Sequence, residues 1–263
     1  MGRTKKWAAG VIFIFSVVLF SISLYFLMGM FAEQKQEADL HDELKAIYQD
    51  DGDAVNDDDA ATESNDDAEG MAVSAGLLAL HEANPDCIGW ISIEGTVIDY
   101  PVMYRPEEEN YYLHRDFYGS YASAGSLFVS ELCDPEESDN LIIYGHHMKN
   151  GSMFAALTNY KDKDFYEEHA EIVFDTLHGT EYYQIFAVFR TPVYTANDFA
   201  YYSFTGAEDE EDFNAFLSEV AERSLYDTGV EAAYGDKLLT LSTCEYSQKN
   251  GRMVVMAKQI SEN

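Results

Sequence analysis

The sequence predicts a mainly β fold with helices in its connections, closing as a barrel behind a single N-terminal apolar helix. Three observations carry that expectation. Residues 7–32 form an uncharged run rich in Phe, Val, Ile and Leu. From Val73 onward about eight short runs of β-branched and aromatic residues are separated by Gly, Asn, Asp and Pro. No repeat and no second apolar cluster interrupts that region, so it reads as one domain.

The N-terminus comes first. Arg3, Lys5 and Lys6 precede the apolar run, and acids follow it. Twenty-six residues of helix span roughly 39 Å at about 1.5 Å each, more than a hydrocarbon core of about 30 Å. The basic flank places residues 1–6 in the cytoplasm, residues 7–32 across the membrane as an uncleaved signal anchor, and the rest outside. Cleavage near Ala32 is the competing reading, but Met-Phe-Ala makes a poor cleavage site.

Residues 33–72 read as an acidic linker. Asp50-Asp51, Asp57-Asp58-Asp59 and Asp66-Asp67 sit among Ala, Asn, Ser and Thr, a composition that cannot bury enough surface to offset its ordering entropy. Within it, Leu40, Leu44 and Ile47 recur at helical spacing, so Glu33 to Gln49 is expected to continue the helix. The remainder is read as a solvated tether.

Residues 73–263 are expected to form the folded domain. Leu77, Leu78 and Leu80 suggest a short helix closed before Pro85. Residues 88–93 and 97–102 read as strands joined around Gly95, residues 110–114 as an aromatic helical turn, and residues 127–129 and 141–144 as further strands. Ser152 is the expected N-cap of a helix through Met153, Phe154 and Leu157. Residues 172–174 and 182–189 read as a hairpin across His178-Gly179. Thr205 to Glu208 has capping-box spacing ahead of a helix with Phe213, Phe216, Leu217 and Val220 on one face. Last come residues 238–244 and 252–257, joined by a polar turn with an Asn-Gly pair.

Charge excludes one class of partner. With 48 acidic and 16 basic residues the formal net charge is −32, the wrong sign for nucleic acid. The three cysteines, Cys87, Cys133 and Cys244, lack metal-type spacing, and Cys87 and Cys133 read as buried apolar thiols. Adjacent strand residues point to opposite faces, so His146 and His147 do not chelate one ion, and no metal or cofactor is expected.

The chemistry concentrates at two strand ends, Tyr144-Gly145-His146-His147 and Ser242-Thr243-Cys244, with Arg252 carried back beside Cys244 by the hairpin. A thiol beside a guanidinium is either a nucleophile with an oxyanion donor or a buried cysteine with a surface arginine. Histidine supplies the proton that a leaving amine requires. The residues alone favour neither His146 nor His147. His41, His81, His114, His169 and His178 are read as surface or packing residues.

Thr240-Leu241-Ser242-Thr243-Cys244 with Arg252 eight residues on resembles the signature of the sortases. Tyr144-Gly145-His146 followed by residues 148–154, together with Gly89-Trp90-Ile91, Asp99-Tyr100-Pro101-Val102 and Asn110-Tyr111-Tyr112-Leu113, is similar to class B in particular. The resemblance implies an eight-stranded sortase-type β-barrel and a membrane-bound cysteine transpeptidase of a Gram-positive cell surface. Cys244 is implied as the nucleophile, His146 as the acid-base (His147 being the fallback) and Arg252 as the oxyanion ligand. Ser242 and Glu245, with Asn110 and Leu113, are implied as substrate contacts. The implied partners are surface proteins bearing a sorting signal and an amine acceptor on peptidoglycan or a pilin lysine. Two other readings stand beside it. A cysteine protease uses the same groups, although papain-like enzymes place Cys before His. A non-catalytic anchored binding module leaves the thiol inert.

Overall fold

Eight strands close into one barrel in the order β1-β2-β3-β4-β7-β8-β6-β5. They are β1 (Cys87–Ser92), β2 (Asp99–Met103), β3 (Leu127–Val129), β4 (Asn140–Tyr144), β5 (Glu171–Thr176), β6 (Gly179–Pro192), β7 (Leu238–Glu245) and β8 (Gly251–Ile260). The computed structural model describes residues 2–50, 73–193, 199–247 and 249–261. Most neighbours run antiparallel, and the exceptions are β2 with β3 and β4 with β7. Closure by β5 against β1 leaves no open sheet edge.

Among the described residues helix α1 (Gly2–Gln49) contains one stretch, Phe15–Gln49, long and apolar enough to cross a membrane, its most apolar 18-residue window having a mean hydropathy of 2.1. Residues 33–49 are therefore helix, as the spacing of Leu40, Leu44 and Ile47 predicts. The tether expected over residues 51–72 lies outside the described residues. The chain divides into two compact units, Met1–Glu43 and Leu44–Asn263.

The second unit thus starts well before Val73, for a visible reason. Tyr48 stacks on Trp90 of β1 with ring centroids 4.3 Å apart and 4° between planes, and its hydroxyl bonds Asp175 of β5. Lys45 pairs with Asp99 at 2.5 Å, and Trp90 Nε1 donates to the same carboxylate at 2.6 Å. Gly76 of α2 (Ala75–Ala83) lies so close to the Tyr48 carbonyl that any Cβ would overlap it. Both ends of the 51–72 segment are accordingly held by this unit.

Two apolar clusters flank the sheet. Inside the barrel, Leu239 and Leu241 of β7 meet Val255 and Ala257 of β8 and Ile142 and Ile143 of β4. Outside it, Leu238 of β7, Val254 and Met256 of β8, and Ala187 and Phe189 of β6 pack against α4 (Glu210–Arg223). Phe213, Phe216 and Val220 are the buried face of α4, at the spacing a helix requires. Strand alternation therefore puts Thr240, Ser242 and Cys244 on the outer face with Leu238.

Two expected caps are not used. The helix near Ser152 is a 3-10 helix over Phe154–Lys161, entered from Met153 at φ 56°, while Ser152 Oγ donates to Asn150. Helix α4 is capped by Asp209, which accepts from Asp212 N at 3.0 Å, rather than by a box beginning at Thr205. An aspartate one turn later satisfies the same orphan amides at less distance. A short helix, α3 (Lys163–Glu168), follows the 3-10 segment.

Replacing Tyr48 by Ala in residues 44–263 removes the stack and a bond to a carboxylate, together about 2 kcal/mol. For a domain of this size the expected fall in melting temperature is roughly 4–8 °C. An unchanged calorimetric transition would show that the α1 end contributes nothing to the barrel.

Candidate active site

The parallel pair β4 and β7 runs from Asn140 opposite Leu238 to Tyr144 opposite Ser242. Gly145 N extends the ladder to Ser242 O at 3.2 Å. Beyond that point side chains replace backbone. Thr243 Oγ1 donates to Gly145 O at 2.7 Å, and His147 Nδ1 lies 3.1 Å from Cys244 O. A carbonyl only accepts, so His147 Nδ1 carries the proton. Gly145 makes this approach possible, because a Cβ there would run into Leu127 and the Phe154 ring (2.7 Å). The segment 145–147 is thereby stitched to the strand end that bears Cys244.

The hairpin supplies the third group. In the β7–β8 register Cys244 stands directly opposite Arg252, with Asn250 at φ 55° making the turn. Both residues are half-buried and share the outer face. Among the described residues Arg252 has no carboxylate partner, and its Nη1 donates only to Gly251 O at 3.1 Å. In a chain with 48 acids against 16 bases, a guanidinium without an acid beside it is available for an anion that forms transiently.

His146 is held from three sides. Its Nε2 lies 2.8 Å from Leu113 O, so Nε2 carries the hydrogen and Nδ1 is left for proton transfer. Its own carbonyl accepts from Phe154 N at 3.0 Å. Its ring stacks on His114 with centroids 5.2 Å apart and 23° between planes. Burial lowers its pKa from the ordinary histidine value; the Leu113 carbonyl opposes that shift and the charge of His114 adds to it. Leu113 belongs to the 3-10 turn Tyr111–His114. Gly125, at φ +59°, lies against the carbonyls of Leu113 and Tyr112 (2.6 Å to the latter from a Cβ). A side chain at 125 would displace the acceptor that orients His146.

The structure brings Cys244, Arg252, the 145–147 segment and the Leu113 carbonyl to neighbouring positions. It gives the other expected substrate contacts different occupations. Ser242 is 1% exposed, and its hydroxyl lies 2.7 Å from that of Tyr201, so burial removes it from direct contact with a substrate. Glu245 accepts from Ser247 N and Oγ at 3.1 and 2.6 Å, fixing the turn. Asn110 is exposed at φ 53° with its amide on Glu109 at 3.1 Å. His147 faces away from His146 and lines a cavity of about 560 Å³ with Met148, Lys149 and Phe165. His114 is a neighbour of the acid-base rather than ordinary packing. Tyr201 and Thr243 were not singled out by the sequence; parity along β7 points to Thr243, but nothing in the sequence marks Tyr201.

Cys87 and Cys133 are free and buried. Burial pushes the Cys87 thiol up to about 12 and the Cys133 thiol up to about 11. Neither is a nucleophile at neutral pH.

Comparison with known proteins places this geometry. Residues 91–260 match the sortase domain family. Sortase B of Listeria monocytogenes is 34% identical over 265 residues, covering 100% of this chain and 98% of the relative. Sortase B of Staphylococcus aureus is 35% identical over 185 residues, covering 69% of this chain and 73% of the relative. The structure of a Staphylococcus aureus sortase B–substrate complex superposes with a TM-score of 0.73 at 29% identity, over 88% of this chain and all (100%) of that one. Sortase B of Clostridium perfringens superposes at 0.65 with 31% identity, over 70% of this chain and 99% of that one.

A methanethiosulfonate reagent is expected to label Cys244 in the folded protein and to reach Cys87 and Cys133 only on unfolding. Labelling of a buried cysteine at the same rate would contradict the burial described. The imidazole of His146, followed by NMR, is expected to titrate below the ordinary value of about 6.5. A midpoint above 7 would mean that a nearby negative charge, not burial, governs it.

Proposed function

Since the chain belongs to the sortase family and to its class B, whose members are cysteine transpeptidases that anchor surface proteins, we propose the following roles for its own residues. Cys244 attacks the scissile carbonyl of a C-terminal sorting signal as thiolate. The oxyanion that develops is met by the Arg252 guanidinium, which stays charged at any working pH. His146, protonated on Nδ1, gives that proton to the departing amine as the C–N bond breaks, leaving a thioester on Cys244. An incoming amine then attacks the thioester, His146 accepts its proton, and the thiolate leaves. The acceptor is an amine of a peptidoglycan cross-bridge or a pilin lysine.

One observation carries this reading. Cys244 and Arg252 are register partners at a hairpin end, and Arg252 has no competing carboxylate among the described residues. The inert-module reading gives no reason for an unpaired guanidinium beside a half-buried thiol in so acidic a protein. Residues 7–32 anchor the enzyme in the cell membrane, with residues 1–6 cytoplasmic and the catalytic unit on the outer surface. The apolar stretch of α1 and the basic flank support that topology. Residues 33–43 link the anchor to the catalytic unit, which begins at Leu44.

Incubation of residues 44–263 with a sorting-signal peptide library and an amine acceptor, read by mass spectrometry, tests the reaction. The amide-exchanged product is expected, and product formed only with water would identify a protease instead. Cys244→Ala is expected to abolish release of the amine-side product. Arg252→Lys is expected to lower kcat by about 100-fold or more, because an ammonium does not reproduce the planar fork. A loss of only a few-fold would remove Arg252 from the oxyanion role.

A further inference from the structure

The 3-10 turn Tyr111–His114 touches His146 twice, through consecutive residues and in different ways. Leu113 offers its carbonyl to Nε2 at 2.8 Å, and His114 lays its ring against the His146 ring at 5.2 Å. The turn is itself firmly held. Ala122 N bonds His114 O at 3.2 Å and Ser126 N bonds Tyr112 O at 3.1 Å. The Tyr111 ring lies between two guanidiniums, Arg105 at 4.3 Å and Arg115 at 4.2 Å. Arg115 donates to Tyr111 O at 3.1 Å, while Arg105 is paired with Asp86 and Glu108 at 3.1 and 2.9 Å. His114 is therefore a fixed wall.

We propose that His114 is a positioning residue for His146, setting the plane of the acid-base ring and placing a second imidazole against its face. This rests on the assignment of His146 as the acid-base. Leu113 fixes one ring nitrogen as donor but leaves the ring free to pivot about that bond; a flat ring stacked at 23° removes the pivot. Nδ1 is then aimed in one direction through both half-reactions. The stack also has an electrostatic consequence. A charge on His114 disfavours a proton on His146, in the same direction as burial of the His146 ring. Among the described residues the titratable group facing His146 is His114, with Tyr121 beyond it on the loop that follows, while His147, the next residue, bonds the Cys244 carbonyl. The arginines of the turn are occupied on Tyr111.

Two variants separate orientation from charge. His114→Ala removes the wall, and kcat at neutral pH is expected to fall about tenfold with KM unchanged. His114→Phe keeps a flat ring and removes the charge. It is expected to hold kcat within about twofold of wild type and to move the NMR midpoint of His146 upward. A melting temperature measured for each variant confirms that the fold is kept. Wild-type kcat in His114→Ala, a loss in His114→Phe as large as in His114→Ala, or an unmoved His146 midpoint in His114→Phe each overturns the proposal. His146→Ala is the control for the underlying assignment. If it retains turnover, the acid-base reading itself falls; if it is dead while the His114 variants behave as wild type, only the present inference falls.

Discussion

The parallel pairing of β4 with β7 is the constraint on which the site depends. It joins residues about a hundred positions apart in sequence, Asn140 with Leu238 and Tyr144 with Ser242. Parallel pairs require long crossovers, and this one spends its crossover on β5, β6 and α4. At its buried start, Thr240 Oγ1 and Asn140 Oδ1 are 2.7 Å apart, with neither group exposed. At its open end the backbone ladder stops at Gly145, and the hydroxyl of Thr243 and the ring of His147 take over. Cys244 and His146 therefore sit where regular pairing has ended but registration has not. A slip of one residue would turn Cys244 to the inside of the barrel and every core side chain to the outside.

Charge is arranged against the grain of the composition. Acids outnumber bases threefold, 48 to 16, and most cations near the barrel are spoken for: Arg105 by Asp86 and Glu108, Lys45 by Asp99, Lys258 by Asp236. Arg252 escapes because its position on β8 faces Cys244 and Thr191 rather than an acid. The imidazole of His146 is half-buried, and burial lowers its pKa. A guanidinium so placed is available to a charge that exists only during reaction, the differential binding on which catalysis rests.

Much of this was legible in the sequence, and the parts that were not share a physical cause. Strand positions, the hairpin and the Cys244–Arg252 juxtaposition follow from alternation and an Asn-Gly turn, both local signals. The separation of Leu239 and Leu241 from the face that carries Cys244 follows from parity once β7 is placed. Caps were less legible: Ser152 and Thr205 satisfy the capping pattern, yet Asp209 and a 3-10 turn are used, because several nearby oxygens compete for the same amides. Ser242, expected as a substrate contact, is buried under Tyr201, which comes from a connection whose path no periodicity encodes. His114 looked like packing for the same reason. Its partner is thirty-two residues away across a fold that had first to close. The start of the compact unit at Leu44 was equally hidden, because the Tyr48–Trp90 stack joins a helix to a strand across the acidic segment.

The position of Ser242 bears on the chemistry even though it touches no substrate. It shares the outer face with Cys244, two residues away, and that face is roofed by residues 199–209 and α4. Two buried polar contacts tie roof to floor: Tyr201 with Ser242 at 2.7 Å, and Asn140 Nδ2 with Phe204 O at 2.7 Å. In a region of low dielectric such bonds are strong when made and costly when broken. The apolar contacts around them, Phe204 stacked on Phe216 at 3.8 Å and Phe189 edge-on to Tyr201, resist sliding but do not fix a register. The two polar bonds do. Displacement of the roof is therefore felt in β7 immediately before the nucleophile, and the thiol is positioned from both sides of its strand: by the 145–147 segment alongside and by the Tyr201 turn above.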